Sequence, residues 1–396
     1  MKIHSLSLTN FRAFKRIEIE FSDHLNLFIG QNAQGKTTIL EAIHFLSLLT
    51  SPIAGSDREI VNFLTLTEEI PVARITAVIE RSGKNHRLEM RLILNGNRGG
   101  NQKLRKEFFI DGVQRRLYDY VGFFNSILFL PQMTRIIEDG PDERRRYLDQ
   151  TLSQAVPGYV RALSTYLKGV SRRNALLKQL AESGGDHDQL LYWDELLAEH
   201  GSEIVMHRIQ AVNELQTLAG SHHRELTDGK ESLQIIYQPS IVFISSHGEQ
   251  DSTADQIPEI NGIKEKFLDQ LKARRRKEIA RGVTTIGPHR DDIQFLVNGV
   301  DMGIYGSRGQ IRTVVMALKF AEKDWFNTKI GELPVILLDE TLAELDGSRR
   351  LDLLKSLENG GQAVLTTADL ELFDPDFVRR CDVWQVGQGG ITKAAF

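Results

Sequence analysis

A glycine-rich loop near the amino terminus constrains the fold more than any other feature of the chain. The stretch FIGQNAQGKTTILEAI, residues 28–43, fits the pattern GxxxxGK[ST]. Its fixed positions are Gly30, Gly35, Lys36 and Thr37. The apolar run LNLFI precedes the loop, and Ile39 and Ile43 follow it at helical spacing. Strand, loop and helix in this order predict a phosphate-binding loop, and the alternative is a structural glycine turn.

Each residue type in this loop matches a part of a nucleotide phosphate. Glycines let backbone amides approach phosphate oxygens, and the amino terminus of the following helix adds positive potential. Lys36 is predicted to reach the β- and γ-phosphates, and the Thr37 hydroxyl is predicted to hold Mg²⁺. The loop alone leaves open whether the phosphate is metabolised, powers transport or times another event.

A phosphate loop of this kind needs an acidic partner at the end of another buried strand. The segment PVILLDE provides one, since an apolar run ends at Asp339 and Glu340. Asp339 is expected to lie behind Mg²⁺ through water, and Glu340 to polarise the attacking water as a general base. The alternative is a strand end that meets a helix cap.

The length and composition of the chain favour a globular protein of several domains. Its 396 residues suffice for two or three domains, and 41% apolar and 26% charged residues are ordinary values. The amino terminus lacks the apolar core of a signal peptide, and we find no apolar run of membrane-spanning length. The single cysteine, Cys381, is expected to be a free core thiol in a reducing compartment. We therefore expect a cytoplasmic protein.

The charge balance limits how the chain can bind nucleic acid. A net charge of -4 argues against a basic surface that grips nucleic acid everywhere. Binding would have to use local patches, of which the sequence has three: Arg144–Arg146, Arg172–Arg173 and Lys272–Arg281. On composition alone, a solvated helix face is the favoured explanation of each patch, and a DNA-binding site is the alternative.

The order of predicted elements suggests a sheet that the chain leaves and later rejoins. Strands are expected in the first thirty residues, and alternation up to the turn Asn95-Gly96 predicts a β-rich flap over residues 70–120, lying over the nucleotide-binding sheet. A helical hairpin follows from Tyr159, then a strand LQIIY, a polar linker SSHGEQDSTADQ and a charged helix that ends at Gly282. The late apolar strands VILLDE and AVLTTA predict a return to the first sheet.

A second motif distinguishes among the proteins that carry phosphate loops. In YGSRGQIRTVVMALKFAE, the residues that open a helix are Ser307, Arg308, Gly309 and Gln310. This segment resembles the signature of ATP-binding-cassette ATPases, and LDETLAELD resembles their acidic strand and dimer-contact loop, here Ala343 to Asp346. That resemblance implies a trans contact with the γ-phosphate on an opposing subunit, and hence a homodimer closed by two ATP molecules. The alternative is a glycine-bearing helix start.

Further segments narrow the resemblance to one family. They are LTNFRAF, PQMTRIIEDGPDERRRYLD, SRRNALLKQL and GPHRDD, in order along nearly the whole chain. Together with the loop, the signature and the acidic strand, they resemble the RecF family of bacterial DNA replication and repair proteins. The resemblance implies a head like those of chromosome-maintenance ATPases, ATP-dependent dimerisation on DNA and slow hydrolysis. It also implies help in loading recombinase at gapped DNA, with RecO and RecR as partners.

The resemblance also implies roles for individual residues. Those expected to bind ATP are Gly30, Gln31, Asn32, Ala33, Gln34, Gly35, Lys36, Thr37, Thr38 and Arg12, and those expected to act across the dimer are Ser307, Arg308, Gly309 and Gln310. Gln132 stands at the family's strand-end position near Mg²⁺, where an acidic residue is more usual, and Arg308 stands where a small or polar residue is more usual. Thr366 and Thr367 follow a strand where transporter ATPases carry a switch histidine, which favours a RecF-like head.

We therefore predict an α/β protein with an ATPase head of the ATP-binding-cassette type, in which a mixed sheet carries the β-rich flap, and a mostly helical second lobe. The head would comprise residues 1–140 and 282–396, and the helical lobe residues 141–281. A dimer doubles each basic patch and can close two copies of the basic helix at Lys272–Arg281 into one groove. The DNA-binding candidates are therefore Lys272, Arg274, Arg275 and Arg276. His289 in GPHRDD is expected to make a hydrogen-bonding turn, and the alternative is a metal ligand.

The predicted function is ATP-dependent DNA binding in recombinational repair and at replication forks, with weak, DNA-stimulated ATP hydrolysis as a timing switch. A transporter ATPase subunit, or another assembly without DNA, is the main alternative and would require a membrane or protein partner. An architectural clamp would need far longer coiled-coil arms. A nuclease would need an additional acidic metal cluster, which we do not find in the sequence.

Overall fold

The computed structural model describes residues 1–67, 70–95, 103–242, 259–345, 347–358, 360–387 and 390–394. It divides into two compact units, the first formed by residues 1–133 and 322–396 and the second by residues 134–321. From the sequence, the chain is predicted to rejoin the ATPase head, which corresponds to the first unit, at residue 282. In the structure residues 282–321 stay with the second unit, because a strand within them pairs with a strand that follows the helical hairpin.

The strands, in chain order, are β1 Lys2–Phe11, β2 Phe14–Glu20, β3 Leu25–Ile29, β4 Val72–Arg81, β5 Lys84–Asn95, β6 Lys103–Ile110, β7 Val113–Arg115, β8 Ser126–Phe129, β9 Leu233–Gln238, β10 Asp292–Val297, β11 Val300–Asp301, β12 Val335–Asp339, β13 Ala363–Thr367, β14 Cys381–Gly387 and β15 Gly390–Lys393. The helices are α1 Lys36–Leu48, α2 Leu117–Tyr120, α3 Arg135–Glu138, α4 Pro141–Ala155, α5 Tyr159–Ser183, α6 Leu191–Leu226, α7 Ile260–Arg281, α8 Met302–Tyr305, α9 Arg308–Ile330, α10 Gly347–Glu358 and α11 Pro375–Arg379.

An antiparallel sheet forms one layer of the first unit, in the order β2-β1-β4-β5-β6-β7. Its strands alternate buried and more exposed residues, as a sheet with one solvated face should. The β-rich flap predicted over residues 70–120 is thus confirmed, and β1 and β2 extend it. The predicted turn begins where β5 ends, at Asn95, but Gly96 lies outside the described residues.

A mixed sheet forms the second layer, in the order β15-β14-β3-β13-β12-β8. All neighbouring strands from β14 to β8 run parallel, and only β15 is antiparallel. The strand before the phosphate loop, β3, is fully buried and lies between β13 and β14, so the predicted return of the late strands is confirmed. Helix α1 shares one apolar core with both sheets, which confirms that the flap covers the nucleotide-binding sheet.

The second unit is mostly helical, as predicted. Helices α5 and α6 form the hairpin, and the 36 residues of α6 span about 54 Å at the usual helical rise. Helix α7 ends at Gly282, whose φ of 64° is the left-handed conformation that commonly closes a helix. A small antiparallel sheet, β11-β10-β9, completes the unit, and the predicted polar linker before α7 lies outside the described residues.

Two of the basic patches seen in the sequence are largely internal to the second unit. Arg144 forms an ion pair with Asp292, at 2.6 Å, and Arg145 donates to the backbone oxygen of Asp291 at 2.6 Å. Arg173 is fully buried and pairs with Asp194 and Glu278 at 2.8 and 2.7 Å. These arginines hold the unit together, whereas Arg146 and Arg172 lie toward solvent.

The histidine of GPHRDD is part of the packing of the second unit. The Tyr166 hydroxyl lies 2.7 Å from His289 Nδ1, and the Thr284 carbonyl oxygen lies 3.3 Å from Nε2. Burial lowers the pKa of His289 to about 4, so the ring is neutral near pH 7. Within the described ranges no group of three His, Cys, Asp or Glu side chains could hold a metal ion.

Two smaller observations concern the whole chain. The thiol of Cys381 is free and half-buried, and burial raises its pKa to about 12. Among the helices that can be described, none is both long enough and apolar enough to span a membrane.

Candidate nucleotide site and signature segment

The shape of the phosphate loop depends on close packing at its two outer glycines. A Cβ on Gly30 would lie 2.4 Å from the backbone oxygen of Val386. Gly35 has a φ of +101°, and a Cβ there would lie 2.6 Å from Cζ of Phe14. Only glycine therefore fits either position without a shift of the backbone. The GxxxxGK pattern identifies both glycines, but neither Phe14 nor Val386 could be recognised from it.

The loop opens into a cavity of about 320 Å³ at the amino terminus of α1. The residues that line it are Ala13, Asn32, Ala33, Gly35, Lys36, Thr37, Thr38 and Glu340. The other candidates, Gly30, Gln31 and Gln34, belong to the same loop between β3 and α1. The dipole of the thirteen-residue helix α1 favours an anion in this position.

The ammonium of Lys36 lies at the centre of the loop. Its Nζ donates to the backbone oxygens of Gly30 and Gln31 at 2.7 and 3.0 Å, and it lies 2.9 Å from Glu340 Oε1. The Lys36 side chain is only 3% exposed, whereas that of Glu340 is 34% exposed. The carboxylate of Glu340 is thus the accessible member of this ion pair.

Asp339 ends β12 and connects the acidic strand to the loop. Both of its carboxylate oxygens accept from the Thr37 hydroxyl at 2.9 Å, and Oδ1 also accepts from the Thr366 hydroxyl at 2.7 Å. Burial raises the pKa of Asp339 above its usual value. A hydroxyl and a carboxylate in contact are oxygen ligands of the kind that Mg²⁺ prefers, so Thr37 and Asp339 fit the predicted Mg²⁺ site.

Glu340 follows in a conformation that is uncommon for a residue with a side chain. Its φ of 47° and ψ of 15° are left-handed, and its backbone N–H donates to the backbone oxygen of Thr366 at 3.3 Å. Such conformations cost about 1 to 3 kcal/mol and persist where the surroundings enforce them. Here the sharp turn after β12 places the carboxylate over the phosphate loop.

Thr366 is a member of this cluster that the sequence did not assign to it. From the sequence, Thr366 serves only as a contrast to the switch histidine of transporters. In the structure it lies at the end of β13, directly between β3 and β12, and it touches Asp339 through its side chain. The signal available in the sequence is a polar residue at the end of a buried strand next to the phosphate-loop strand.

Arg12 is held on a carboxylate of α1. Its guanidinium makes two hydrogen bonds to Glu41, from Nε to Oε2 at 2.9 Å and from Nη2 to Oε1 at 2.6 Å. The Arg12 side chain is 21% exposed and its backbone φ is 52°, so it projects from a tight turn beside the cavity-lining residue Ala13. The sequence did not reveal Glu41, which positions Arg12.

Gln132 is less closely tied to the site than the other candidates. It follows β8, which pairs with β12 on the side away from β13, and its side chain is exposed. Among the described residues, those lining the cavity do not include Gln132. Its proposed role near Mg²⁺ therefore rests on the family resemblance and on strand order.

The signature segment belongs to the second unit and forms the capped start of α9. The Ser307 hydroxyl accepts from Gln310 N at 3.3 Å, and Gln310 Oε1 accepts from Ser307 N at 3.2 Å, a reciprocal capping box. Ser307, Arg308 and Gly309 are all exposed. Apart from its two chain neighbours and the backbone of its own helix, no described atom lies within 4 Å of a Cβ built on Gly309, so packing against the rest of this chain does not require a glycine there.

The remaining candidates are a turn and a basic helix. Ala343 lies exposed in the turn after Glu340, and Asp346, at the other end of the predicted dimer-contact loop, lies outside the described residues. On α7, Lys272 and Arg276 are exposed and Arg274 is half-buried. Arg275 donates to Asp194 at 2.8 Å and is 17% exposed, so its charge is used inside the unit.

Comparisons with known proteins give one consistent result. Residues 2–377 match the family described as RecF/RecN/SMC N terminal domain. The chain is 38% identical to the DNA replication and repair protein RecF of Chloroflexus aurantiacus, with 99% of both chains covered. It is 33% identical to the protein of the same name from Halalkalibacterium halodurans, over 99% of this chain and 100% of the relative.

Solved structures give the same result for the fold. The structure of the recombination mediator protein RecF-ATP in the RecFOR pathway superposes with a TM-score of 0.86 at 30% identity, over 100% of this chain and 98% of that one. The corresponding RecF-ATPrS structure gives 0.85 at 31% identity, over 99% and 98%. An Smc head domain from Pyrococcus furiosus gives 0.53 at 15% identity, over 100% of this chain and 96% of that one, which supports the fold alone.

Proposed function

Since this chain belongs to the RecF family of DNA replication and repair proteins, we propose that it binds ATP, closes as a homodimer and thereby engages DNA during repair and replication. The observation that carries this proposal is the meeting of Lys36, Thr37, Asp339 and Glu340 around one cavity. A relative of 30% identity has been solved as RecF-ATP, which supports ATP as the nucleotide. The predicted setting is the cytoplasm.

The residues of the cavity divide the work of binding and hydrolysing ATP. Loop amides and Lys36 bind the β- and γ-phosphates, and Thr37 and Asp339 hold Mg²⁺, which offsets phosphate charge when it is bound. A γ-phosphate at the ammonium of Lys36 competes with Glu340 for it. Displaced from Lys36, the Glu340 carboxylate becomes available to orient water as a general base.

This competition is consistent with slow hydrolysis that acts as a timer. Glu340 has two roles, because it balances the buried charge of Lys36 and also supplies the base. A site in which the base must first leave an ion pair is not poised for rapid turnover. We propose that ATP binding closes the dimer and that hydrolysis opens it.

The exposed signature segment supports dimerisation. Gly309 lies exposed in the first turn of α9, where the helix dipole favours a phosphate anion. Because one chain carries one phosphate loop and one signature, we propose that two copies complete two sites. Ser307, Arg308, Gly309 and Gln310 would then act on ATP held by the opposite copy.

The proposal extends to partners named for the relatives. The solved relatives are described as recombination mediators in the RecFOR pathway. We propose that this chain likewise acts with RecO and RecR in loading recombinase at gapped DNA. A transporter ATPase subunit is the alternative, and it would show hydrolysis stimulated by a membrane partner and indifferent to DNA.

Fluorescence anisotropy with duplex, single-stranded and gapped DNA, with and without ATP, tests the proposal, with light scattering for mass. We expect ATP to drive both dimerisation and DNA binding in the native protein. In Lys36→Ala, ATP should drive neither. Glu340→Gln should bind ATP but release the dimer more slowly, because the carboxylate that activates water is gone. A protein that binds ATP yet ignores DNA at low salt under every nucleotide condition would contradict the DNA-repair function.

A further inference from the structure

The solvent face of the antiparallel sheet carries a row of arginines that the phosphate site does not use. In the register of the strands, Arg16 lies opposite Thr9, Thr9 opposite Arg74, and Arg74 opposite Arg91. Arg105 lies on the same face of β6, opposite Ile93. We call Arg16, Arg74, Arg91 and Arg105 the arginine face. At the usual spacing of strands, it extends about 19 Å from β2 to β6.

The positive charges of this face lie outermost. The four arginine side chains are 41 to 74% exposed, whereas the carboxylates beneath them, Glu89 and Glu107, are each 11% exposed. Glu18 and Glu20 are exposed acids on the same face of β2, and Glu18 pairs with Arg16 at the edge of the row. Lys103 adds a further exposed base on β6.

Arg74 and Arg91 lie directly opposite each other, and like charges on paired strands repel, so another group must offset this repulsion. Glu89 holds them together: it accepts from Arg74 Nε at 2.9 Å and from Arg91 Nε at 2.7 Å. Burial pushes the pKa of Glu89 upward, but these hydrogen bonds outweigh it and keep the pKa below its usual value. The carboxylate therefore stays ionised and fixes two guanidinium groups side by side, facing solvent.

We propose that the arginine face binds the sugar-phosphate backbone of duplex DNA. The proposal deepens the proposed function, on which it rests, by assigning the DNA to a surface of the first unit rather than to α7. Guanidinium groups bind phosphates through paired N–H donors, and a chain of net charge -4 has to concentrate such contacts locally. Duplex is favoured over single strands because Arg91 lies over the ring of Phe109, at 4.6 Å, and covers the aromatic on which a base could stack.

The test compares the salt dependence of duplex binding in the ATP-bound native protein and in the triple variant Arg74→Gln, Glu89→Gln, Arg91→Gln. Including Glu89 avoids leaving an unpaired buried carboxylate. Loss of two phosphate contacts should make the slope of log affinity against log salt shallower by about 1.8. If the two lines meet at 1 M salt, affinity at 0.1 M salt falls about 60-fold.

Two further variants separate this effect from general loss of charge or fold. Arg379→Gln removes an arginine that is 71% exposed and ion-paired with Asp376 elsewhere in the first unit, and it should leave both quantities unchanged. Glu89→Gln alone removes a negative charge beneath the face and should tighten duplex binding. ATP-driven dimerisation should be native in all of these variants.

An unchanged slope in the triple variant, with native DNA binding intact, would overturn the proposal. The face would then be free for another partner, such as an acidic protein surface. Weaker binding in Glu89→Gln would also overturn it, because the face would then act only through the stability of the sheet. If the native protein fails to bind DNA at all, the proposed function fails instead, so the two failures can be told apart.

Discussion

Gly35 of the phosphate loop and Gly309 of the signature are glycines for different reasons. Gly35 has a positive φ of 101°, and a Cβ there would meet Phe14 at 2.6 Å. Gly309 has an ordinary helical position, and beyond its own helix and chain neighbours the described part of the chain places nothing within 4 Å of a Cβ built there. The fold of one chain therefore explains the first glycine and leaves the second unexplained.

The difference between these two glycines bears on the proposed site between two copies of the chain. Around the phosphate loop, Lys36, Thr37, Asp339 and Glu340 already contact one another within the first unit. The signature segment in the second unit is capped and well formed, but its outer surface is exposed. A well-formed segment whose exposed residues the packing of one chain does not require is consistent with the proposed second copy, whose phosphate loop would complete the site.

The largest expected effect is that of Gly35→Ala. A methyl group at this position combines a strained backbone with a clash against Phe14, at a cost of about 2 to 5 kcal/mol of unfolding free energy. Urea unfolding measures this loss, and ATP binding should disappear with it. Gly83→Ala is the matched control, because Gly83 also has a positive φ, of 70°, but open space around it. Equal losses in the two variants would contradict the role assigned to Phe14.

Lys36→Ala should have the next largest effect, and on function rather than fold. Loss of the ammonium removes its contact with the β- and γ-phosphates, and we expect ATP affinity to fall about 100-fold or more. Isothermal titration of ATP measures the change. The variant should remain folded, although Glu340 loses its ion-pair partner. Native ATP affinity in this variant would show that the loop does not bind phosphate.

Gly309→Ala should give opposite signs for stability and function. Alanine in the first turn of α9 should raise the unfolding free energy by about 0.5 to 1 kcal/mol, since it restricts the unfolded chain. ATP-dependent dimerisation, followed by light scattering, should weaken, since the methyl group blocks the approach of the opposite phosphate. Gly262→Ala, in the first turns of α7 and equally open, should give the same gain in stability and native dimerisation. Native dimerisation in Gly309→Ala would remove the main support for the trans contact.

Near neutral pH the smallest expected effect is that of the buried His289 of the second unit, because its contribution to stability appears only below about pH 6.5. The pKa of His289 is lowered to about 4 from an ordinary 6.5. Between pH 4 and pH 6.5, this histidine is therefore protonated in the unfolded chain and neutral in the folded chain. Stability should therefore fall as the pH drops from 6.5 toward 4, by up to about 1.4 kcal/mol per pH unit. His289→Gln should unfold with a weaker pH dependence in this window, whereas the exposed His187→Gln should behave as the native protein does.

Much of the fold could be predicted from the sequence because its signals are local. The apolar run before Gly30 predicts a buried strand of the mixed sheet, and the alternation of apolar and polar residues in β4 and β5 predicts the antiparallel sheet. The helical periodicity after Tyr159 predicts the hairpin. The loop and acidic strand were recognisable for the same reason. Contacts between distant segments were not, and these include Thr366 on Asp339 and Glu41 on Arg12.

Charge patterns were the least reliable guide. Runs such as the arginines at 172–173 and 274–276 look equivalent in sequence, yet Arg173 is fully buried and Arg275 is paired with Asp194. The arginine face could not be predicted from the sequence, because its members are far apart in the chain and become neighbours only through strand register. Burial and register, rather than local composition, decide which charges can meet a ligand.

Mixing two inactive variants tests most directly whether the site is completed between two copies. Lys36→Ala lacks a working phosphate loop, and Ser307→Arg lacks a working signature, so each alone should hydrolyse ATP far more slowly than the native protein. A mixed dimer regains one intact composite site, so hydrolysis should return on mixing, to at most about a quarter of the native rate, because the Lys36→Ala copy brings no ATP to help close the dimer. Restoration on mixing is the result we predict. Native hydrolysis in Ser307→Arg alone, or no restoration on mixing when mixed dimers form, would contradict a site shared between two copies.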